Sequence, residues 1–322
     1  MAKLRGYETR LDGYEAPRPL QEHEIRDHLP QDRPSLSAPW YQLSVIQMNS
    51  TFLECVDKLH GVRGMGTTAV LAGMPLAFGI TTLPLDLFEK YPTLSPEKQS
   101  EALWAGIGIF LIGLLIWAML IWFLRIESFR HTHYPTRFNR KTRMVHVFRF
   151  NGTVLSMPWD KIYFTLGYCG AGSWEVIGHV LSEDGKTVLE TFALSTRGER
   201  DDHIPKPILY QQWEFVRRYM EDGPQELINQ VEVVFPIDKK KESYLLGFRR
   251  IFANGTIWPL GMVLLSPFIF LVTIGRWVCM RTCKIPRWPD EVEAECQIDP
   301  NDPYIRDEHH PSKTARFGWY LR

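Results

Sequence analysis

Three long apolar runs interrupt an otherwise polar chain. From Ala102 to Leu124 no position carries a charge. A helix over this run would be about 34 Å long, enough to cross a hydrocarbon core of about 30 Å. Trp117 and Trp122 lie towards its end and Arg125 stops it, as an interfacial anchor would. A second run, Gly64 to Leu85, is also uncharged but less apolar. Its Gly73, Pro75 and Gly79 are residues that membrane helices tolerate. The polar link 86–101 carries the turn signals Tyr91-Pro92 and Ser95-Pro96. The pattern predicts a transmembrane helical hairpin over 64–124.

The third run, Ile251 to Gly275, contains Pro259 and Pro267 and has basic residues on both flanks. Lys239, Lys240, Lys241, Arg249 and Arg250 precede it, and Arg276, Arg281, Lys284 and Arg287 follow it. A simple crossing would leave one basic flank outside the cell. A bent, re-entrant segment satisfies the charges better, and both forms stay open at this point.

Period-two alternation dominates 134–235. RMVHVFRF at 143–150 and TVLSMPW at 153–159 flank Asn151-Gly152, a tight-turn pair. KIYFTLG at 161–167 is a third strand, and 173–181 with 187–194 form a second hairpin around Asp184-Gly185. After a loop through Pro205, a helix is predicted at 208–222. Leu209, Trp213, Val216 and Met220 give it one apolar face. Strands followed by one helix suggest an antiparallel sheet capped by that helix, the element order of pleckstrin-homology-like domains. Before the first span, residues 1–63 read as an arm. Leu43, Ile46, Phe52, Val56 and Leu59 suggest an amphipathic helix within it. The end, 284–322, reads as an irregular tail with a short helix near 286–296. The fold class expected is thus an α+β membrane protein.

Charge adds the orientation. The link 86–101 holds only Lys90 and Lys98, whereas Arg125, Arg130, Arg137, Arg140, Lys141 and Arg143 follow the second span. The positive-inside rule makes both flanks of the hairpin, and the sheet domain, cytoplasmic. Over the 322 residues, 37 Lys and Arg balance 37 Asp and Glu, which argues against a nucleic-acid binder. Five cysteines without framework spacing suit a reducing compartment.

Candidate chemistry is sparse. Gly61-x4-Gly66-Thr67-Thr68 has the outline of a phosphate-binding loop but lacks its lysine. Cys279-x3-Cys283, His131-x-His133 and His309-His310 lack the companions of a metal site, so neither metal nor cofactor is expected. No motif of a hydrolase or metalloprotease is present, and catalytic residues are not assigned. The basic run is the candidate membrane-surface or partner-binding feature: Arg130, Arg137, Arg140, Lys141 and Arg143.

HYPTRFNRKTRMVHVFRFNGTVLSMPWDKIYFTL, HVLSEDGKTVLETFAL, QWEFVRRYMEDGP and RTCKIPRWPDEVEAEC resemble a family of bacterial membrane proteins of unknown function. Its members are often encoded near type VI secretion components and toxins. The resemblance implies a non-enzymatic inner-membrane protein, an immunity or accessory protein whose partner is a secreted toxin or secretion-system protein. It supplies no catalytic residues. The alternative is a membrane scaffold or anionic-lipid-reading module built on the sheet domain, with membrane lipid as its partner.

Overall fold

The computed structural model describes residues 16–168, 173–198, 207–254, 261, 264–307 and 309. Residues 1–15 of the expected arm, Pro205, Pro259 and the end of the tail lie outside the described residues. In chain order the elements are β1 (Arg18–Pro19), α1 (Glu22–Arg26), β2 (Val45–Met48), β3 (Phe52–Cys55), α2 (Met65–Lys90), α3 (Pro96–Glu127) and β4 (Thr136–Asn139). There follow β5 (Met144–Phe148), β6 (Val154–Pro158), β7 (Ile162–Tyr168), β8 (Trp174–Leu181), β9 (Thr187–Gly198), α4 (Pro207–Glu221), α5 (Tyr244–Asn254), α6 (Ser266–Thr282) and α7 (Asp290–Glu295). They divide into an α+β unit (1–60, 131–241 and 285–322) and a helical unit (61–130 and 242–284).

The α+β unit contains two antiparallel sheets rather than the one expected. Their orders are β1-β9-β8-β7 and β2-β3-β4-β5-β6. Both predicted hairpins are present, as β5–β6 and β8–β9. Helix α4 buries Leu209, Trp213, Val216 and Met220, the face read from the sequence. Trp213 stacks on Trp159 at 5.8 Å and lies 4.6 Å from Phe164, so the helix and the strands share one core.

The amphipathic helix expected within 40–59 is corrected to a hairpin, β2–β3. Asn49 turns it: its side-chain oxygen accepts the N–H groups of Thr51 at 2.8 Å and Phe52 at 2.9 Å, a local bond that competes with helix. All four residues of β3 are buried, Glu54 included, so apolar residues fall on both strand faces and mimic a helical stripe. The tail has the expected short helix, α7, in an otherwise irregular course. Over 288–306 it lies along this sheet: Val292 and Cys296 pack on Phe52, Asp302 accepts from Ser50, and Arg306 bridges Met48.

His146 makes this sheet sensitive to acid. It is buried on β5, its Nδ1 lies 2.8 Å from Ser156 Oγ, and its Nε2 faces Glu295 at 3.5 Å. Burial, and then the nearby Arg137 charge, push its pKa down to about 4. The unfolded chain, near 6.5, therefore takes up a proton that the folded chain refuses. Stability is complete above pH 6.5 and is lost as pH falls towards 4. Lowering the pH from 7.5 to 5.0 should remove about 2 kcal/mol through this group. Desolvation shifts His28 in the same direction, so the comparison must be made with a His146→Gln variant. Denaturant unfolding at the two pH values should show a smaller loss in that variant; an equal loss would exclude His146 as the cause.

In the helical unit α2 and α3 pack closely as an antiparallel pair joined through the turn Tyr91–Thr93. Small residues set the approach: a Cβ on Gly113 would lie 2.6 Å from Thr81 Oγ1 and 3.0 Å from Thr81 Cα. Both helices are long and apolar enough to cross a membrane, and most of their large apolar side chains, such as Phe78, Leu85, Leu115 and Trp122, face outward. Within the third apolar run the described residues hold α5, up to Asn254, and α6, from Ser266 with Pro267 in its first turn. At about 17 Å and 26 Å, neither reaches across a core of about 30 Å.

Candidate membrane-surface site

The structure divides the basic run. Arg137 lies on β4, a central strand hidden within that run, and is 5 % exposed. Its Nε and Nη2 donate to Glu54 of β3 at 3.0 and 2.7 Å, directly across the ladder. The rings of Phe52 and Trp288 sit 4.4 and 4.8 Å from its guanidinium carbon. Burial opposes its charge, but Glu54 and Glu293 hold its pKa above the usual value. Arg137 is therefore a core cation, which corrects its assignment to the surface. Lys141 is paired with Asp299, and Arg143 with Asp160 and Glu221. Arg140 is half-buried, with its guanidinium against Gly223. Arg130 alone of the five is exposed without an ion pair among the described residues, its Nε donating to Arg125 O at 3.3 Å.

Arg130 belongs to the helical unit, at an end built from buried polar bonds. Glu127, in the last turn of α3, accepts Gly64 N–H at 2.6 Å, Thr67 N–H at 2.8 Å and Thr67 Oγ1 at 2.9 Å. A carboxylate thus caps the start of α2, where the helix dipole favours it. It occupies the amides that a phosphate would need in the incomplete Gly61–Thr68 motif. Arg276 of α6 is 1 % exposed and binds Glu242 twice, at 2.6 and 2.8 Å, while also donating to Arg63 O at 2.9 Å. Lys284 N–H donates to Arg130 O at 2.6 Å.

These bonds shape the corner after α3. Ser128 is held by Thr67 Oγ1 at 3.1 Å, and Arg130 by Lys284. Phe129, fixed between them, takes a left-handed backbone with φ 66° and stands 62 % exposed. A non-glycine residue there is strained by roughly 1 kcal/mol or more. Arg125, Ser128, Phe129 and Arg130 line an open recess of about 650 Å³. Arg125 likewise lacks an ion pair among the described residues; its place at the end of the apolar run was the sequence signal for it.

Other polar constellations are structural. His179 bridges Thr191 Oγ1 at 3.0 Å and Glu24 Oε1 at 3.1 Å, an arrangement with the parts of a nucleophile–base–acid set. His179 is fully buried, however, and Glu24 is also bound by Arg18. Burial alone would raise the pKa of Glu24; bonds from Arg18, His179 and the Gln21 N–H bring it well below the carboxylate range. Burial pushes the Cys55 thiol up to about 12, so it is unreactive. A smaller recess lined by Asp32, Arg217, Arg218 and Glu221 offers no free cation, because both arginines bind Glu214. Among the described residues no group of three metal-ligating side chains occurs.

The fold and this corner define a mixed α+β protein with two helices of membrane-spanning length and apolarity. Residues 113–300 match the family of unknown function DUF6708, and the chain belongs to that family. The matched region contains Arg125 to Arg130, Glu242 and Arg276 but not Gly64 or Glu54. No curated protein and no solved structure matches the chain.

Proposed function

We propose that the chain is a non-enzymatic integral membrane protein of the bacterial inner membrane, with its polar segments on the cytoplasmic side, where they bind a partner. One observation carries this reading. The four ends of the helical unit gather at the same end of its helices: Gly61 and Arg63 carbonyls lie on Arg276, Glu242 binds Arg276, and Lys284 binds Arg130. The α5–α6 segment therefore leaves where it enters, as a re-entrant segment does. The charge distribution supports a cytoplasmic side for that end. The resemblance to proteins encoded near type VI secretion toxins makes toxin immunity, or an accessory role in toxin handling, the binding function proposed.

A reporter fused after Ser95 should behave as periplasmic and one after Asp184 as cytoplasmic. A cytoplasmic Ser95 fusion would sink the topology. Deletion of the gene should sensitise cells to attack by toxin-secreting siblings, and unimpaired survival in co-culture would remove the immunity role.

A further inference from the structure

We propose that Arg125, Phe129 and Arg130 form a binding site for the phosphate headgroup of an anionic phospholipid. The inference deepens the membrane reading above and rests on it. Three observations converge. First, Arg125 and Arg130 are exposed and free of carboxylates among the described residues, whereas Arg137, Lys141 and Arg143 are all paired. The neighbouring Glu127 is itself engaged by Gly64 and Thr67. Exposed Lys284, whose amide holds Arg130 O, adds a third cation at the same corner.

Second, the recess has the chemistry of a headgroup site. Two guanidiniums offer forked donors to a phosphate, and Ser128 lines the recess with them. Third, the corner follows directly on an apolar face of membrane-spanning length. The outward apolar face of α3 ends with Trp122 and Phe123, Arg125 follows at once, and the strained turn sends the Phe129 ring outward. An exposed aromatic beside arginines at the end of an apolar helix suits the interface, where a soluble anion has no use for the ring.

The test uses the full-length protein in neutral detergent, titrated with phosphatidylglycerol and read by native mass spectrometry. Each arginine is expected to contribute about five-fold in affinity, so Arg125→Gln with Arg130→Gln should weaken lipid binding by about 25-fold. Lys141→Gln with Arg143→Gln should leave it unchanged. Phe129→Gly is the variant safe for folding, since glycine accepts the left-handed backbone, and it should weaken binding several-fold. Wild-type affinity in either the double-arginine or the glycine variant would overturn the site. Displacement of the lipid by excess inorganic phosphate alone would overturn it in favour of a soluble anion. Alkaline extraction of membranes tests the underlying reading separately: a chain washed out by carbonate fails as a membrane protein whatever the titration gives.

Discussion

Gly64→Ala is expected to destabilise the helical unit by about 3 kcal/mol or more, through two effects that act together. Gly64 has φ 94°, where an L side chain is strained. A Cβ there would also lie 2.2 Å from Arg276 Cα and 2.6 Å from Arg276 N. These are backbone atoms of α6, so no rotamer change can relieve the overlap; one helix must move. The same contact is repeated one turn on, where a Cβ on Gly275 would meet Thr68 Cα at 2.7 Å. With total stabilities of roughly 5–15 kcal/mol, such a loss is a large share of the whole. Gly108→Ala is the control, because nothing lies within 4 Å of that position and its backbone is helical. Thermal unfolding in detergent should show a marked fall for Gly64→Ala and almost none for Gly108→Ala. An unchanged midpoint for Gly64→Ala would mean that α2 and α6 do not pack as described.

Removal of the Glu242 carboxylate should have a comparable effect. Arg276 and Glu242 are 1 % and 2 % exposed at their side chains and share two short bonds. Glu242→Leu leaves a guanidinium buried without its counter-charge, a change that typically costs about 3–5 kcal/mol. Arg276→Met strands the carboxylate in the same way. The double variant removes both charges together and should recover much of the loss, because a buried pair contributes little net stability over an apolar replacement. The expected result is therefore strong non-additivity in unfolding midpoints. Strictly additive losses would show that the two side chains do not act as a pair. A folded double variant would also separate the role of the pair in aligning α5 with α6 from any role in binding.

Some of this molecule could be read locally. A helix long enough to cross a bilayer is a property of a contiguous run, and α2 and α3 follow from the uncharged runs at Gly64–Leu85 and Ala102–Leu124. Hairpins closed by Asn151-Gly152 and Asp184-Gly185 are local too, because the turn conformation belongs to those residues. Helix α4 declared its buried face by spacing alone.

Burial of a charge is not local. Arg137 and Arg130 look alike in the basic run, yet one is in the core and the other in solvent. The difference is Glu54, 83 residues earlier, which pairs with Arg137 only after β3 and β4 align. The division into two sheets likewise depends on β2 and β3, whose burial on both faces concealed them. The left-handed Phe129 had no sequence signal, because glycine or asparagine is the usual mark of that conformation. It arises from the bonds that hold Ser128 and Arg130 on either side. The sequence by itself determined where chain segments can be apolar helices or tight hairpins, since those depend on neighbours within a few residues. Tertiary structure alone decided which cations are neutralised and which, among the described residues, stay exposed without a carboxylate. Those outcomes depend on the placement of carboxylates and amides far apart in the chain.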